Sequence, residues 1–311
     1  MASQCKICEK SFDSDKGLHT HIKRIHKIPL SEYYVNFYQR KDLFTNELLP
    51  FKDKIKYFSS YFLNRDNFEK WANSESPDKV KNIMLKMLKH RIEQKELKHA
   101  PPHIELQLYD LPSIDSFRKF FGSYSIACDE LKTKPLFEKK IMENFFDEDD
   151  SLDSVKILID TREQRPLKFK SSLSMKLDFG DYAVGEPYYD YTYVDRKSES
   201  DFKSTMSIGF ERFKREIERA KSFDAYLFVV IESSIEEIIK NNPKGHYEAN
   251  LAFVWHNMRT LMHDFAKRCQ FIFTGSRANS EKIIPKLLVH GNELWDTDIQ
   301  YFIDKHELGR R

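Results

Sequence analysis

The carboxyl-terminal half of the chain alternates between short apolar runs and longer stretches of helical periodicity. Apolar runs of strand length occur at VKILI, YTYV, YLFVVIE and FIFT. Between the second and third runs, Phe210, Phe213, Ile217 and Ala220 recur at the spacing of one helix face, and further helical patterns run through 251–265 and around 283–289. This alternation predicts an α/β domain over residues 155–311, with a central sheet covered by helices.

The middle of the chain has helical patterns without strands. An aromatic-rich connector is predicted over 29–72, and Ser76-Pro77 then supplies an N-cap and a first-turn proline for an amphipathic helix. Pro101-Pro102 ends that helix, and two more capped helices are predicted near Ser113 and Ser123. We therefore expect a helical region over 73–140, followed by an acidic linker over 141–154.

Charge is distributed locally rather than globally. The 311 residues carry 51 basic and 49 acidic side chains, so the formal net charge is +2 and no overall field favours nucleic acid. Seven Lys or Arg against two Glu over 79–98 give that helix a local charge of 7 − 2 = +5. Lys86, Lys89 and Arg91 of this helix are predicted phosphate contacts.

The chain lacks the apolar segments that membranes require. It has no run of about 18 apolar residues. Its amino terminus also lacks the apolar core of a signal peptide. We therefore expect an intracellular protein with no membrane partner.

The first 28 residues carry a metal-ligand spacing. Cys5-x2-Cys8-x12-His21-x4-His26 is the pattern of a ββα zinc finger, with Phe12 as one of its small-core residues. So short a segment cannot bury enough apolar surface to fold alone, whereas tetrahedral Zn²⁺ coordination supplies roughly 10–16 kcal/mol. The sequence predicts Zn²⁺ bound to these four side chains.

The predicted finger is poorly suited to reading bases. The helix positions that would face a major groove are Ser14 and Gly17, with Thr20 one turn further on, and none makes a bidentate base contact. Lys16, Lys23 and Arg24 are predicted to hold phosphates instead, which makes the finger an anchor. A protein-binding finger is the alternative.

Three acids occur at strand ends or turns of the predicted sheet. Asp160 follows VKILI, Asp181 lies in the turn of DFGDYAVGE, and Asp195 ends YTYV. Strand alternation places Lys197 on the same face as Asp195. Taken alone, the triplet Asp195-Arg196-Lys197 would be an ordinary polar end of a strand. Several acids that converge at one edge of a sheet, however, suit Mg²⁺, which prefers oxygen ligands.

The same residues resemble the nuclease domain of the XPF-type endonucleases over roughly residues 155–290. The matching motifs, in chain order, are Asp160-Thr161-Arg162-Glu163, Gly180-Asp181-Tyr182 and Asp195-Arg196-Lys197-x3-Asp201. The resemblance implies a restriction-endonuclease-like fold, Mg²⁺ or Mn²⁺ as cofactor, and DNA cut near branch points. It also implies site roles. Asp181 and Asp195 would be metal ligands and Lys197 the catalytic cation, while the site would be shaped by Asp160, Arg162, Glu163, Arg196 and Asp201.

A second resemblance concerns the middle of the chain. The segment with Pro112, Phe121-Gly122-Ser123-Tyr124, Ala127, Leu131 and Pro135 looks like the helical DNA-binding repeat of homing endonucleases. It implies DNA contacts by Ser123 and Tyr124. A helical spacer is the alternative reading.

The sequence therefore predicts a metal-dependent DNA endonuclease targeted by the finger and the helical region. A site-directed nuclease of a phage or mobile element and a branched-DNA repair nuclease both fit. A non-enzymatic DNA-binding protein is a third alternative. The tail over 294–311 is too short for the paired helix-hairpin-helix domain through which XPF-type nucleases dimerise. A homodimer is therefore an alternative that no such domain supports.

Overall fold

A computed structural model describes residues 3–51, 53–59, 65–138, 145, 150–242 and 249–306. The chain divides into two compact units. The first comprises Met1–Gln94 and Gln107–Ser123, and the second comprises Lys95–Leu106 and Tyr124–Arg311. The predicted helical region 73–140 is divided between them, and most of the predicted acidic linker lies outside the described residues. Among those residues, no helix is long and apolar enough to span a bilayer.

The first unit begins with a ββα module and continues as helices. Its antiparallel strands are β1 (Ser3–Gln4) and β2 (Ser11–Phe12). Its helices are α1 (Asp15–His21), α2 (Leu30–Phe37), α3 (Lys54–Ser59), α4 (Arg65–Ser74), α5 (Pro77–Lys95, whose last residue belongs to the second unit) and α7 (Ile114–Phe121). Ser113 caps α7 by accepting a hydrogen bond from the Ser116 backbone N–H, as its sequence predicts.

The finger shares its core with the segment that follows it. Cys5, Leu18 and Ile22 of the finger pack with Tyr33, Tyr34, Leu49 and Tyr57 in one buried cluster. The backbone N–H of Lys6 donates to the Tyr33 hydroxyl at 2.8 Å, and His19 Nε2 lies 2.8 Å from the Tyr34 hydroxyl. The finger is therefore built into a larger folded body by α2.

The second unit is a mixed sheet flanked by helices. Its strands are β3 (Ile157–Asp160), β4 (Ser172–Met175), β5 (Tyr182–Val184), β6 (Thr192–Lys197), β7 (Tyr226–Ile231) and β8 (Cys269–Phe273). Its helices are α6 (His103–Leu108, of which the last two residues belong to the first unit), α8 (Tyr124–Glu130), α9 (Glu199–Thr205), α10 (Phe210–Ser222), α11 (Ile235–Lys240), α12 (Leu251–Asp264), α13 (Arg277–His290) and α14 (Ile299–Lys305).

The sheet order is β4-β3-β5-β6-β7-β8. Strand β5 is antiparallel to β3 and β6, and the pairs β3–β4, β6–β7 and β7–β8 are parallel. One core cluster joins β3, β5, β6, β7 and β8 to α13 and α14, with Val194, Phe228 and Ile284 fully buried. The predicted α/β architecture with a central sheet is confirmed. The antiparallel β5 brings the turn before it to the end of β6.

Candidate nuclease site

The first acid of the site has a structural role. Asp160 ends β3 and is 2% exposed. Its carboxylate accepts hydrogen bonds from the Leu177 N–H at 2.7 Å, the Arg162 N–H at 2.8 Å and Arg162 Nε at 2.6 Å. Burial raises the pKa of Asp160, but these hydrogen bonds outweigh it and hold the pKa at about 2. Asp160 thereby fixes Arg162 and the segment that leads to Asp181.

A tight turn places Asp181 against β6. Gly180 has φ +58°, and a Cβ atom there would lie 2.7 Å from the Val194 carbonyl oxygen. That close approach lets the Asp181 N–H donate to the Val194 carbonyl at 2.7 Å. The Asp181 carboxylate then accepts a 2.7 Å hydrogen bond from the Arg196 backbone N–H. The turn therefore needs glycine in order to bring the second acid beside β6.

Strand β6 presents the third acid and the lysine together. Asp195 and Lys197 project from the same face, with Lys197 Nζ 2.8 Å from Asp195 Oδ2 and both side chains close to nine-tenths buried. The ammonium also lies 4.6 Å from the centre of the Phe213 ring on α10. Burial lowers the pKa of Lys197, but the attraction of Asp195 outweighs it and raises the pKa. Lys197 is thus a fixed cation beside the carboxylates.

The surroundings of Asp181 disfavour a negative charge on its carboxyl group. Burial first, and then repulsion by Asp195, raise the pKa of Asp181 to about 8. The N–H of Arg196 and the charge of Lys197 oppose this rise, while Glu163 adds to it. A divalent cation between the two carboxylates would relieve both causes, so the donor set fits a hard, oxygen-seeking metal ion.

The predicted site residues Arg196 and Glu163 belong to an ion-pair chain. Arg196 projects from the face of β6 opposite Lys197, with its guanidinium 3.2 Å from Glu163 and 3.0 Å from Glu232. Arg277, at the start of α13, reaches Glu232 at 3.2 Å. This chain ties the ends of β6 and β7 to the loop after β3. The Glu232 and Arg277 members were missed from the sequence, although Glu232 directly follows the buried strand YLFVVI.

Sequence reasoning also missed an acid on α10. Glu216 is half-buried. Burial and the charge of Asp195 raise its pKa, and Lys197 lowers it, so Glu216 faces the same site. No local signal identifies it, since one glutamate on the polar face of an amphipathic helix looks like any other.

Asp201 lies just beyond the site, at the start of α9. Its backbone N–H donates to the Ser198 hydroxyl at 3.2 Å, and its carboxylate accepts from the same hydroxyl at 2.7 Å. Ser198 therefore caps the helix that follows Lys197, and the exposed Asp201 is the third residue of that helix.

The four predicted zinc ligands converge in the finger. Their ligand atoms all lie within 4.8 Å of one another. Cys5 Sγ lies 3.4 Å from His26 Nε2, Cys8 Sγ lies 3.2 Å from His21 Nε2, and the two Nε2 atoms are 3.1 Å apart. The edges of a tetrahedron around Zn²⁺ with these ligands are about 3.3–3.8 Å. The cluster fits zinc.

The predicted DNA contacts fall into two groups. Lys16, Lys23, Arg24, Lys86 and Lys89 are exposed, and Ser123 is half-buried. Arg91 and Tyr124 are buried.

Arg91 and Tyr124, the other two predicted DNA contacts, are buried in the structure. Arg91 is 5% exposed because its guanidinium lies 3.5 Å from the Tyr109 ring centre. Tyr124 is 8% exposed, and its hydroxyl donates to the Pro101 carbonyl at 2.8 Å. Both side chains are therefore packing residues rather than surface contacts.

Solved structures similar to this chain include two of XPF from Aeropyrum pernix. No family model and no curated protein matches the chain. XPF from Aeropyrum pernix in complex with DNA is 20% identical, with a TM-score of 0.34, over 44% of this chain and 64% of that one. XPF from Aeropyrum pernix without DNA is 18% identical, with a TM-score of 0.34, over 47% of this chain and 69% of that one. The chain thus spans less than two thirds of the first of these structures.

Proposed function

We propose that the protein is a metal-dependent DNA endonuclease with a restriction-endonuclease-like site, anchored to DNA by its finger and its helical region. The observation that carries this proposal is the juxtaposition of Asp195, Lys197 and Asp181 at the ends of β5 and β6. The buried carboxylate of Asp195 and the half-buried carboxylate of Asp181, beside one fixed ammonium, form an arrangement suited to phosphodiester hydrolysis. The similar XPF structure, which is described as a complex with DNA, is in keeping with it.

Asp181 and Asp195 would hold the cation, with Mg²⁺ or Mn²⁺ as the expected ion. Its chemistry in phosphodiester hydrolysis is to neutralise charge on the phosphate and to activate water. The oxygen-only donor set favours these hard ions over Zn²⁺, for which the finger offers thiolates and imidazoles.

The residues of the chain supply positioning and charge. Lys197 lies 2.8 Å from Asp195, where its ammonium can stabilise the negative charge that develops on the phosphate. The Arg196 N–H holds the Asp181 carboxylate in place at 2.7 Å. Arg162 forms an ion pair with Asp160, but its side chain is largely exposed and therefore accessible to a DNA phosphate. The Lys197 ammonium and the Arg162 guanidinium would thus contact the phosphodiester, and the two carboxylates would hold the metal ion.

The finger and the basic face of α5 would hold the DNA. Lys16 and Lys23 on the finger, and Lys86 and Lys89 on α5, are exposed cations in positions that suit phosphate contacts. Such contacts carry no base information, so they anchor the nuclease rather than specify a sequence.

The experiment that tests this proposal compares substrates under controlled metal. End-labelled duplex, flap and fork DNA of matched sequence are incubated with full-length protein, with and without added Mg²⁺. Magnesium is withheld rather than chelated, because a chelator would also remove zinc from the finger. Cleavage that requires Mg²⁺ supports the proposal, and the preferred substrate separates a branch nuclease from a site-directed one. Binding without cleavage of any substrate, with Mg²⁺ or Mn²⁺, contradicts it.

A further inference from the structure

Helix α10 carries a row of arginines that the proposed chemistry does not use. Its buried face, formed by Phe213, Ile217 and Ala220, packs toward the sheet. Arg212, Arg215 and Arg219 follow one another at spacings of three and four residues, and all three are exposed. We call these three residues the arginine row. They form one continuous strip along the helix.

The arginine row borders the carboxylate site. Glu216, four residues after Arg212, feels the charges of Asp195, Lys197 and Arg219. Phe213, which directly follows Arg212 and lies one turn from Glu216, lies under the Lys197 ammonium. The row therefore starts where the scissile phosphate is proposed to lie. Among the described residues, neither Arg212 nor Arg215 forms an ion pair with an acidic side chain.

The row leads to an aromatic cluster. The Arg219 guanidinium lies 4.7 Å from the Phe179 ring centre and donates a 2.7 Å hydrogen bond to the Asp178 carbonyl. Phe179 in turn lies 5.7 Å from Phe223 and 5.5 Å from Tyr193. Phe179 comes two residues before Asp181, and Tyr193 comes two residues before Asp195. The aromatic cluster and the carboxylates are thus carried on the same two segments.

The cluster continues to the far end of β6. Tyr193 lies 6.2 Å from Tyr189, which lies 5.1 Å from Tyr191. We call Phe223, Phe179, Tyr193, Tyr189 and Tyr191 the aromatic track. Phe223 and Tyr191, at its two ends, are 63% and 53% exposed, whereas Phe179 and Tyr193 between them are each 4% exposed. Tyr191 is four residues from Asp195, or about 13 Å along an extended chain, which equals about four base steps at 3.4 Å.

We propose that the arginine row and the two exposed rings of the aromatic track, Phe223 and Tyr191, bind a single strand of DNA that leaves the carboxylate site. Exposed rings and exposed guanidinium groups are the two features with which proteins hold single strands, by stacking on bases and by neutralising phosphates. The inference deepens the proposed function and rests on it in one respect, namely that the strand being cut passes Asp195.

A duplex is a poorer occupant of the same surface. Its bases are already stacked and present only their edges, so exposed rings such as Phe223 add nothing to its binding. Arginines without exposed rings would bind a duplex as well as they bind a single strand. The rings therefore favour an unpaired strand and predict that cleavage substrates have single-stranded DNA next to the cut.

The test measures binding rather than cleavage. Full-length protein carrying Asp195→Asn, which prevents loss of substrate, is titrated into labelled 20-nucleotide oligothymidylate and into a 20-base-pair duplex at fixed salt. The variants are Phe223→Ala, Phe223→Trp and Arg215→Ala. Phe253→Ala is the matched control, because Phe253 is an exposed phenylalanine on α12, outside the track.

Loss of one ring should weaken oligothymidylate binding selectively. Phe223→Ala should raise the Kd by at least about fivefold, the equivalent of one lost base stack of ~1 kcal/mol, and Phe223→Trp should restore it. Duplex binding and the Phe253→Ala control should stay unchanged. Arg215→Ala should lower the salt dependence of oligothymidylate binding by about 0.7 per phosphate contact.

Three results would overturn the inference. One is an unchanged oligothymidylate Kd for both Phe223→Ala and Arg215→Ala. Another is equal weakening of duplex and single strand, which would make the surface a general DNA contact. The third is an equal effect of Phe253→Ala. If Phe223→Ala lowers the melting temperature, Arg215→Ala and Tyr191→Ala decide the matter. Selective binding without any nuclease activity would sustain this inference while contradicting the proposed function.

Discussion

Lys197 Nζ lies 2.8 Å from Asp195 Oδ2, two residues away on the same face of β6. Both side chains are close to nine-tenths buried, so the pair is largely shielded from bulk water. The strand period of two residues fixes this pair without any loop, which makes its geometry rigid. A cation held this way can act on a phosphate only if the phosphate comes to it at the sheet edge.

Lys197→Met should abolish cleavage and also lower stability in the absence of Mg²⁺. Removing the ammonium leaves the buried Asp195 carboxylate without its partner, at a cost of about 3–5 kcal/mol in the free energy of unfolding. Urea unfolding in Mg²⁺-free buffer measures this cost. Lys203→Met is the matched control, because Lys203 pairs with Glu199 on the neighbouring α9. An equal loss for both variants would mean that the Lys197–Asp195 pair is an ordinary ion pair.

The raised pKa of Asp181 should make the metal-free protein less stable as pH rises. An acid whose pKa is higher in the folded protein than in the unfolded chain binds its proton more tightly when folded, so stability falls from about pH 4 up to about pH 8. Asp181→Asn should flatten the profile in this window and exceed the parent in stability at pH 8. Added Mg²⁺ should then stabilise the parent and not the variant.

The measurement for Asp181 is thermal unfolding at pH 6 and pH 8, with Mg²⁺ withheld and zinc retained. Asp264→Asn, at an exposed acid on α12, is the control and should follow the parent. A parent whose stability is independent of both pH and Mg²⁺ would contradict the raised pKa and the metal site together.

Loss of zinc should unfold more than the finger. Cys5, Leu18 and Ile22 share their core with Tyr33 and Tyr34 of α2, so Cys8→Ser should expose α2 as well as residues 3–26. Hydrogen exchange followed by mass spectrometry should show faster exchange over 3–37 and unchanged exchange over β6 and β7. Exchange that accelerates only up to His26 would mean that the shared core contributes little.

The basic face of α5 offers a paired test of phosphate binding and packing. Replacing Lys86 and Lys89 with Ala should lower the salt slope of duplex binding by up to about 1.8, at roughly 0.9 per phosphate. Arg91→Ala should instead lower stability by about 2 kcal/mol, because it removes the buried contact with Tyr109, and should leave the slope unchanged. A lower salt slope for Arg91→Ala without a loss of stability would show that Arg91 contacts DNA.

Local patterns predicted the parts of the site that lie on one strand or one turn. Asp195 and Lys197 follow from strand alternation, and Gly180-Asp181 from a turn signal. Contacts between segments that are distant in the sequence could not be predicted from local patterns. In the sequence, Arg91 cannot be distinguished from Lys89, because its burial depends on the tertiary contact with Tyr109. Glu216 likewise comes close to Asp195 and Lys197 only through the packing of α10 in the folded protein. The spacing of cysteines and histidines likewise predicted the metal ligands of the finger, whereas the packing of the finger against Tyr33 depends on tertiary structure.

The most direct test of the account is the single-turnover cleavage rate of forked DNA by the parent, Asp195→Asn and Asp264→Asn under saturating Mg²⁺. A metal site at Asp195 supplies several kcal/mol of stabilisation to the reaction, so Asp195→Asn should lower the rate by at least about a hundredfold with little change in DNA affinity. Asp264→Asn should cut at the parent's rate. Cleavage by Asp195→Asn at the parent's rate would contradict the assignment of the nuclease site.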